Sequence, residues 1–436
     1  MIEPADRDAP NHRRPRFFYG WNMVIASVAT NTIMSAAYFQ GFSALFLPIE
    51  SYFAWPRWVI SAALSTRQLE SGIVSPLIGF MLVKITIRQM VFWSGVITAA
   101  GLIGLGLING LFTFFLFFII VSLGASGVSH AVTWPVLIAR WFRRKRGLAM
   151  GLAVMGPIFG SPFLLLNTAI EETYGWRVVL IGYGFIVFVG VSLISMTIRN
   201  SPADIGLQPD GVEPTEEERS RGVSDLGSEA GMTLRQVLRI KEFWLLMAYM
   251  GGMFVVNSAM QAHQIPYFVE DRGLSSYQAA ATLMLVFMVS AIGRIGGGYV
   301  MDRADYRVVL AVMSIVMGLA LVYLQIFKPS STIGSLPFII LFGIGFGSMI
   351  PIRGTLGSMM FGLRSLGPVI GLLQGGSVAA GVVGPIFLGV MNTFEGSYHN
   401  AIWALVVVSF IMAPVSLLMS SPKLLRERKA VASVAE

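Results

Sequence analysis

Four charged residues, Arg67, Glu70, Arg294 and Arg353, interrupt long apolar stretches of this sequence. Hydrophobic residues make up 55% of the 436 residues and charged residues only 12%, a composition that indicates a chain embedded in lipid. A charge at the centre of a bilayer costs roughly 2.5 kcal/mol or more, so it normally faces a partner or a water-filled path. We therefore expect these residues to mark a route along which something polar crosses the membrane.

Arg67 and Glu70 are three residues apart, so in a helix they share a face and can form an ion pair. Two interpretations of this pair stay open. In the structural one, the two charges neutralise each other against a neighbouring helix. In the functional one, Glu70 exchanges a proton, as buried carboxylic acids can near neutral pH, while Arg67 engages a substrate.

The charges inside the apolar stretches are unbalanced, because three arginines face one glutamate. An unpaired buried cation is costly, so a ligand with negative charge would offset it. A guanidinium group presents a planar fork that suits a carboxylate. For Arg294, carboxylate binding and structural anchoring both stay open. Arg353 follows Pro351, where a helix can open, and a structural or gating role is favoured over substrate contact.

The apolar stretch 241–268 contains a group of polar residues, namely Asn257, Gln261, His263 and Gln264. This group could line an outer cavity, so Asn257, Gln261 and His263 are candidates for substrate binding. A neutral imidazole at His263 can also relay protons. His130, in another apolar stretch, is more typical of a hydrogen-bonded packing residue.

The elements that position these residues are apolar stretches of about the 20 residues that a helix needs to span a bilayer. Their continuity favours helices, because a membrane β-barrel would show alternating segments of about ten residues. We count twelve stretches: 20–47, 56–83, 89–108, 110–139, 147–170, 176–198, 241–268, 275–301, 306–327, 334–362, 363–392 and 396–420. The sequence therefore predicts an all-α membrane protein with twelve transmembrane helices.

A polar segment that begins at residue 200 is rich in Asp, Glu, Gly and Pro, which is the composition of a linker. It divides the twelve stretches into six and six, so we predict two six-helix bundles. The predicted organisation is a cytoplasmic tail at 1–16, an N-terminal bundle at 17–199, a cytoplasmic linker at 200–235, a C-terminal bundle at 236–422 and a cytoplasmic tail at 423–436.

Lys and Arg concentrate in cytoplasmic loops of membrane proteins. With the N-terminus inside, 24 of the 31 Lys and Arg residues fall on the inner side, so we expect cytoplasmic termini and a location in the cell (inner) membrane. This asymmetry explains the net charge of +8 without nucleic-acid binding, which would need a basic face on a soluble domain. There is no cysteine, hence no disulfide and no thiolate metal site, and we expect no cofactor.

The two halves of the chain match each other at an offset of about 220 residues. The matched positions are Arg144, Gly147, Gly151 and Gly156 with Arg364, Gly367, Gly371 and Gly376, and Gly79, Lys84 and Arg88 with Gly298, Arg303 and Arg307. These positions fall in equivalent loops of the two halves. Duplicated six-helix halves are typical of transporters that bind their substrate at the midplane, between the halves.

The segment from Gly298 to Arg307, with Asp302 and Arg303 inside it, resembles the G-x-x-x-D-R-x-x-x-R loop motif of the major facilitator superfamily. The resemblance implies a gating contact on the cytoplasmic side for Asp302, together with the other residues of the motif. The copy in the first half has Val83 at the position of the aspartate, so the same role is not implied there.

Other segments resemble the monocarboxylate and oxalate/formate antiporter branch of that superfamily. They are the loop from Trp141 to Gly151, Tyr19-Gly20-Trp21 and the stretch from His263 to Tyr267, while the surroundings of Arg67 and Arg353 resemble an orphan bacterial subgroup of the branch. The resemblance implies that Arg294 binds a carboxylate and that Arg144 and Arg146 belong to the cytoplasmic gate. It also implies that helices 4, 7 and 10 line the central cavity.

The function predicted is secondary active transport of a small, monocarboxylate-like organic anion by alternating access, with proton symport as the favoured coupling. The expected partners are the anion, protons and the lipid bilayer, with no nucleic acid and one chain as the functional unit. An exporter of a neutral or amphipathic compound, with structural arginines, is the alternative. An integral-membrane enzyme is a remote alternative, because the four histidines are scattered and no carboxylate-rich interfacial loop is evident outside the linker.

Overall fold

The computed structural model describes residues 18–39, 41–55, 58–128, 131–160, 162–212 and 231–420. These residues are helical almost throughout, and their one β-type pairing is an isolated bridge between Gly231 and Gly362. The tails expected at 1–16 and 423–436, much of the expected linker, and His130 lie outside the described residues.

Six crossings form the first half of the chain, and three of them are broken into segments. The uninterrupted helices are α2 (Trp58–Lys84), α3 (Ile87–Gly106) and α6 (Trp176–Thr197). The broken ones are α1 (Gly20–Met34, a π-helical turn at Ser35–Phe39, a 3-10 turn at Gly41–Leu45 and Phe46–Phe53), α4 (Leu111–Val128 and Thr133–Trp141) and α5 (Arg146–Ala153, Gly156–Gly160 and Phe163–Tyr174).

Six further crossings form the second half, where most helices are continuous. They are α7 (Lys241–Pro266, extended by a π-helical turn at Tyr267–Asp271), α8 (Ser276–Met301), α9 (Tyr306–Phe327), α10 (Leu336–Phe361), α11 (Leu366–Gly381 and Val383–Glu395) and α12 (His399–Leu417). A short helix at Leu234–Arg239 precedes α7, and its first turn is capped by the side chain of Thr233.

The predicted fold class is confirmed: each of the twelve apolar stretches corresponds to one crossing. Among the described residues, nine helices are long and apolar enough to span a membrane by themselves. The three other crossings are α1 and α5, which are broken, and α2, which carries Arg67 and Glu70 within its span. The charges that weaken the hydropathy of α2 are those the sequence singles out as functional candidates.

Each half has its own hydrophobic core, so the halves pack as two bundles. One core consists of buried residues from Met23 to Ile198, joined by two residues of α11, and the other extends from Met232 to Met419. The face of the membrane that carries the α2–α3, α4–α5 and α8–α9 loops also carries residues 200–212 and 231–233. We call it the linker face.

The bundles meet near the linker face through two seams in which glycines allow backbones to touch. In the α2–α11 seam, a Cβ atom at Gly79 would overlap the carbonyl oxygen of Gly367. In the α5–α8 seam, a Cβ at Gly147 would overlap the carbonyl oxygen of Gly298, and one at Gly151 that of Arg294. Small residues permit such close approach between membrane helices, and the two seams join the bundles near the linker face.

Candidate substrate and gating site

Arg67 lies on the side of α2 that faces the protein interior. Ile73 and Phe80, which are 68% and 44% exposed, mark the opposite, outward side, about 120° and 140° away around the helix. The Nη1 atom of Arg67 donates to the carbonyl oxygen of Phe39 in the π-helical turn of α1, over a long 3.4 Å. The guanidinium also lies 5.7 Å from the ring centre of Tyr38.

Glu70 bonds to α4 and not to Arg67. Its Oε2 accepts hydrogen bonds from Ser122 at 2.5 Å and from Ser126 at 3.2 Å. Its Oε1 is buried and has no hydrogen-bond partner among the described residues. Within the part of the chain that the structure describes, Arg67 and Glu70 form no ion pair, so the mutually neutralised pair that their spacing allows is absent.

Two polar residues that the sequence analysis did not select complete this region. Tyr38 is 1% exposed, and its hydroxyl finds no hydrogen-bond partner in the described residues. Asn167 of α5 donates to the carbonyl of Ala36 at 3.0 Å and accepts from Tyr183 at 2.6 Å. Asn167 thus holds the irregular turn of α1; its isolation within an apolar stretch was the signal that could have found it.

Arg294 reaches across the α5–α8 seam. Its side chain is 5% exposed, and its Nη1 donates to the carbonyl oxygen of Val154 at 2.7 Å. Its Nε is buried without a partner among the described residues, and no carboxylate there pairs with it. Val154 lies where α5 is interrupted, just before Gly156 and Pro157. That dipeptide is the sequence signal that predicts the break.

Asp302 joins the same two helices at the linker face. Its Oδ1 and Oδ2 accept hydrogen bonds from the backbone N–H groups of Gly147 at 2.7 Å and Leu148 at 3.0 Å, in the first turn of α5. Negative charge is favourable at a helix N-terminus, where N–H groups have no partner within the helix. Burial raises the pKa of Asp302 above its usual value, while these two N–H groups act in the opposite direction.

The basic residues of the expected gate bond locally. Arg303 stacks on the ring of Tyr299 at 3.6 Å, and Arg307 pairs with Asp305 at 2.8 Å. The Arg307 side chain lowers the pKa of the Asp305 carboxyl. Arg146 donates to the carbonyls of Phe142 at 2.9 Å and Ala139 at 3.0 Å, at the end of α4. Its guanidinium therefore braces the α4–α5 turn.

Arg144 is exposed, and its backbone contacts residues that follow α6. The carboxylate of Asp210 accepts from the N–H groups of Arg143 at 2.9 Å and Arg144 at 2.7 Å. Met232, which precedes α7, bonds in the same way to the equivalent α10–α11 loop. Its N–H donates to the carbonyl of Phe361 at 2.9 Å, and its carbonyl accepts from the hydroxyl of Ser365 at 2.7 Å. The two described ends of the connection between the bundles thus bind equivalent loops.

Arg353 lies in an unbroken helix. α10 continues through Pro351, and the half-buried Arg353 makes no hydrogen bond to any residue that the structure describes. Its buried Nε also has no hydrogen-bond partner among the described residues. A cavity near the preceding turn, lined by Trp134, Val154 and Pro351 among others, offers only about 10 Å³ to the centre of a water-sized sphere. That volume admits one water molecule at most.

The polar group of α7 is divided between two sides of the helix. Gln264 faces α8, where it donates to Thr282 at 3.1 Å, and Ser258 faces α11, where it donates to Gly381 at 2.6 Å. Gln261 lies about 60° from each, on the side between these two contacts, which we call the inner side of α7, and it donates to Asn257 at 3.0 Å. The structure therefore brings Asn257 and Gln261 together on the inner side.

His263 lies about 160° around α7 from Gln261. Its Nε2 is 3.0 Å from the carbonyl oxygen of Pro385, and its Nδ1 is 3.2 Å from the hydroxyl of Tyr398. A carbonyl only accepts, so Nε2 carries a hydrogen and donates to it. The structure thus places His263 between α7, α11 and the start of α12, apart from Asn257 and Gln261.

Comparison with protein families gives one match that spans most of the chain. The model described as "Major Facilitator Superfamily" matches residues 28–374.

Curated relatives match over nearly the full length at low identity. The chain is 24% identical over 433 residues to monocarboxylate transporter 12 of Rattus norvegicus, covering 94% of this chain and 87% of the relative. It is 24% identical to monocarboxylate transporter 1 of Rattus norvegicus, covering 94% and 86%. It is 22% identical to monocarboxylate transporter 2 of Homo sapiens, covering 98% and 91%.

Solved structures resemble the whole molecule. The proton:xylose symporter XylE bound to 6-bromo-6-deoxy-D-glucose superposes with a TM-score of 0.71 at 12% identity, covering 92% of this chain and 96% of that one. The E. coli fucose:proton symporter FucP superposes with a TM-score of 0.66 at 13% identity, covering 93% and 100%. At such identities the likeness shows a shared fold.

Proposed function

The chain belongs to the Major Facilitator Superfamily, and from that premise we propose that it moves a small, monocarboxylate-like organic anion together with a proton. Membership makes it a multi-pass membrane transporter and not an enzyme. In the proposal, access to the anion alternates between the two membrane faces as the two bundles rock against each other.

One observation carries the proposal: Arg67, Arg294 and Arg353 lie in membrane-spanning helices, and none forms an ion pair with a described carboxylate. Glu70, the carboxylate that shares α2 with Arg67, accepts hydrogen bonds from serines. Cations buried without counter-ions are costly, and an anionic substrate would offset part of that cost. The names of the curated relatives, monocarboxylate transporters, agree in chemical class.

Arg67 is the residue that we propose as the first contact of the carboxylate. It is half-buried, faces the interior, and its one hydrogen bond to a described residue is a long bond to a neutral carbonyl. A carboxylate would exchange this bond for charge-assisted ones, which are roughly twice as strong. Asn257 and Gln261, on the inner side of α7, supply amide groups from the other bundle for the rest of the substrate.

Glu70 is the proposed carrier of the proton. Its Oε2 accepts both serine hydroxyls, whereas its buried Oε1 receives no donor from the described residues. A proton on Oε1 would therefore leave the existing bonds unchanged. Among the described residues, the groups that can titrate or carry charge beside it are Arg67 on α2 and Tyr38 on α1, because α4 and α11 contribute no ionisable residue from Leu111–Val128 and Leu366–Gly381.

We further propose that the linker face is the cytoplasmic face of the cell (inner) membrane, with both termini inside. The distribution of Lys and Arg supports this orientation. The cytoplasmic gate then includes residues of the α8–α9 and α4–α5 loops, namely Gly298, Asp302, Arg303, Arg307, Arg144 and Arg146. Arg353 lies deeper in the membrane than this gate. Each chain has its own pair of bundles, so we propose the monomer as the functional unit.

Uptake into liposomes tests this proposal. Purified protein should accumulate radiolabelled short-chain monocarboxylates when the liposome interior is alkaline, and a protonophore should abolish the accumulation. Liposomes without protein give the passive permeation of the acid, which must be subtracted. If no acid in a broad panel enters faster than in these controls, acid transport is ruled out.

The bond between Arg294 and Val154 favours a second candidate, an exporter of a neutral compound with purely structural arginines. In that case Arg294→Lys should leave transport largely intact, because lysine can donate to a carbonyl. An acid transporter should lose apparent affinity for its substrate, because lysine lacks the planar fork that binds a carboxylate at two points. Measuring KM for the transported compound in this variant separates the two candidates.

A further inference from the structure

α5 loses its regular hydrogen bonding at Val154 and Met155, inside the membrane. In an uninterrupted helix the N–H of Ile158 would donate to the carbonyl of Val154, four residues earlier. Here it donates to the carbonyl of Met155 at 3.0 Å. The neighbouring Pro157 has no N–H to offer. The carbonyl of Val154 is therefore free to accept a hydrogen bond from another helix.

Arg294 of the other bundle supplies that bond at 2.7 Å. The match is incomplete, because a guanidinium has five N–H donors and one neutral carbonyl satisfies few of them. The buried Nε remains without a partner among the described residues. A carboxylate can accept two parallel, charge-assisted bonds from the same group and is the better partner. The guanidinium thus has reason to leave Val154 when an acid arrives.

Among the described residues, hydrogen bonds cross the α5–α8 seam at two places, and the Arg294–Val154 bond is one of them. The other is the carboxylate of Asp302 on the N–H groups of Gly147 and Leu148. Arg294 lies eight residues before Asp302, about 12 Å further from the linker face. The seam is therefore fixed at two depths, with close backbone packing between them.

We propose that the carboxylate of the substrate and the carbonyl of Val154 compete for Arg294, an inference that rests on the proposed transport of an acid. Without an acid, the Arg294–Val154 bond keeps the linker side closed. An acid that enters from the opposite face takes the guanidinium and removes the deeper contact of the seam. Of the hydrogen bonds that cross the seam among the described residues, those of Asp302 then remain. With one contact fewer the seam opens more readily, so binding of the substrate promotes its release on the other side.

The absence of cysteine from the sequence allows a direct test of the lock, by which we mean the Arg294–Val154 bond that keeps the linker side closed. The variant Ile350→Cys, whose position lines the small cavity beside Val154, reports access from the linker face. Its reaction with a membrane-impermeant maleimide is measured without any acid. Adding Arg294→Gln should accelerate the reaction by about five-fold or more, since the glutamine side chain is too short to keep the bond. Arg294→Lys retains one donor and should stay within about two-fold of the parent.

Gly151→Ala is the positive control, because its Cβ would overlap the carbonyl oxygen of Arg294 and force the seam apart. This variant should also react faster. If it does so while Arg294→Gln reacts at the parental rate, the lock is refuted. If Arg294→Gln does not fold, the parent with cysteine at position 350 still decides, through its response to acid.

Acetate or propionate, added to the face opposite the linker face, should accelerate labelling of the parent. If the protein takes up an acid but adding that acid leaves the labelling rate unchanged, the competition is contradicted and the transport proposal stands. A protein that takes up no acid of the panel, yet is labelled faster after Arg294→Gln, contradicts the transport proposal and retains the lock as a structural bond. The two failures are therefore distinguishable.

Discussion

Arg67 and Glu70 lie one turn apart on α2, yet each bonds to a different neighbouring helix. The guanidinium donates to the carbonyl of Phe39 in α1, and the carboxylate accepts from Ser122 and Ser126 in α4. Opposite charges at this spacing on a helix normally attract each other. Their separation leaves the cation available to a substrate and the acid available to a proton.

Glu70→Gln should uncouple transport from the proton gradient. The glutamine carbonyl can still accept the two serine hydroxyls, but it does not titrate. Uptake of acid driven by an alkaline interior should fall to the rate without a gradient, while exchange of labelled for unlabelled acid persists. Glu172→Gln, an exposed position at the end of α5, is the matched control and should behave as the parent. Gradient-driven uptake by Glu70→Gln at the parental rate would exclude Glu70 as the carrier.

Arg67→Gln should weaken substrate binding without unfolding the protein, because Arg67 is half-buried and its one hydrogen bond to a described residue is the long bond to Phe39. Loss of a charge-assisted hydrogen bond worth about 1.5 kcal/mol or more should raise KM by on the order of ten-fold. Arg67→Lys keeps the charge and should give a smaller increase. An unchanged KM in both variants would remove Arg67 from the binding site.

Gly147→Ala should destabilise the closed α5–α8 seam, because the added Cβ would overlap the carbonyl oxygen of Gly298. Gly182 in α6 has no atom within 4 Å of an added Cβ, so Gly182→Ala is the matched control. Maleimide labelling at position 350 should rise in the first variant only. Equal labelling of the two variants would mean that the seam does not close the linker side.

The stability of the closed state should depend on pH through Asp302. Burial raises its pKa above the usual 3.8, so the closed state holds the proton more tightly than a solvated aspartate does. Its contribution to the closed state is therefore complete below pH 3.8 and is lost as the pH rises through the raised pKa. The ratio of labelling at position 350 between the parent and Asp302→Asn should increase over this range. A ratio independent of pH would contradict the assignment.

His263→Gln should leave proton coupling intact, because His263 contacts Pro385 and Tyr398 on the side of α7 away from Gln261. The pH dependence of uptake should match that of the parent, while the melting temperature falls through the lost contacts. Gln261→Ala, on the inner side of the same helix, should instead raise KM. Altered pH dependence in His263→Gln would return the imidazole to the proton path.

Apolar length alone predicted the twelve crossings, because a hydrocarbon core leaves the backbone little choice but a helix. The same reasoning identified α2, α8 and α10 as the helices that carry interior charge. It did not give the partners of those charges, since a helix constrains the direction of a side chain and not what lies opposite. The bonds of Glu70 to α4 and of Arg294 to Val154 depend on packing between helices.

The separation of His263 from Gln261 was within reach of the sequence. Two residues along a helix turn by about 200°, which places them on nearly opposite sides. Neighbourhood in the sequence suggested one polar group, and helical geometry divides it. The π-helical turn at Ser35–Phe39 could not be predicted in this way, because Asn167 and Arg67 bond to its carbonyls from distant parts of the chain.

Val83 occupies in α2 the position that Asp302 occupies in α8, and a valine side chain cannot accept hydrogen bonds from the start of α11. The contact that Asp302 makes with a helix N-terminus therefore has no counterpart at Val83. We expect the bundles to tilt about the α2–α11 edge, so that the mouth on the linker face widens first between α5 and α8. The exit offered to a released substrate would be asymmetric, although glycine and basic positions of the two halves match in sequence.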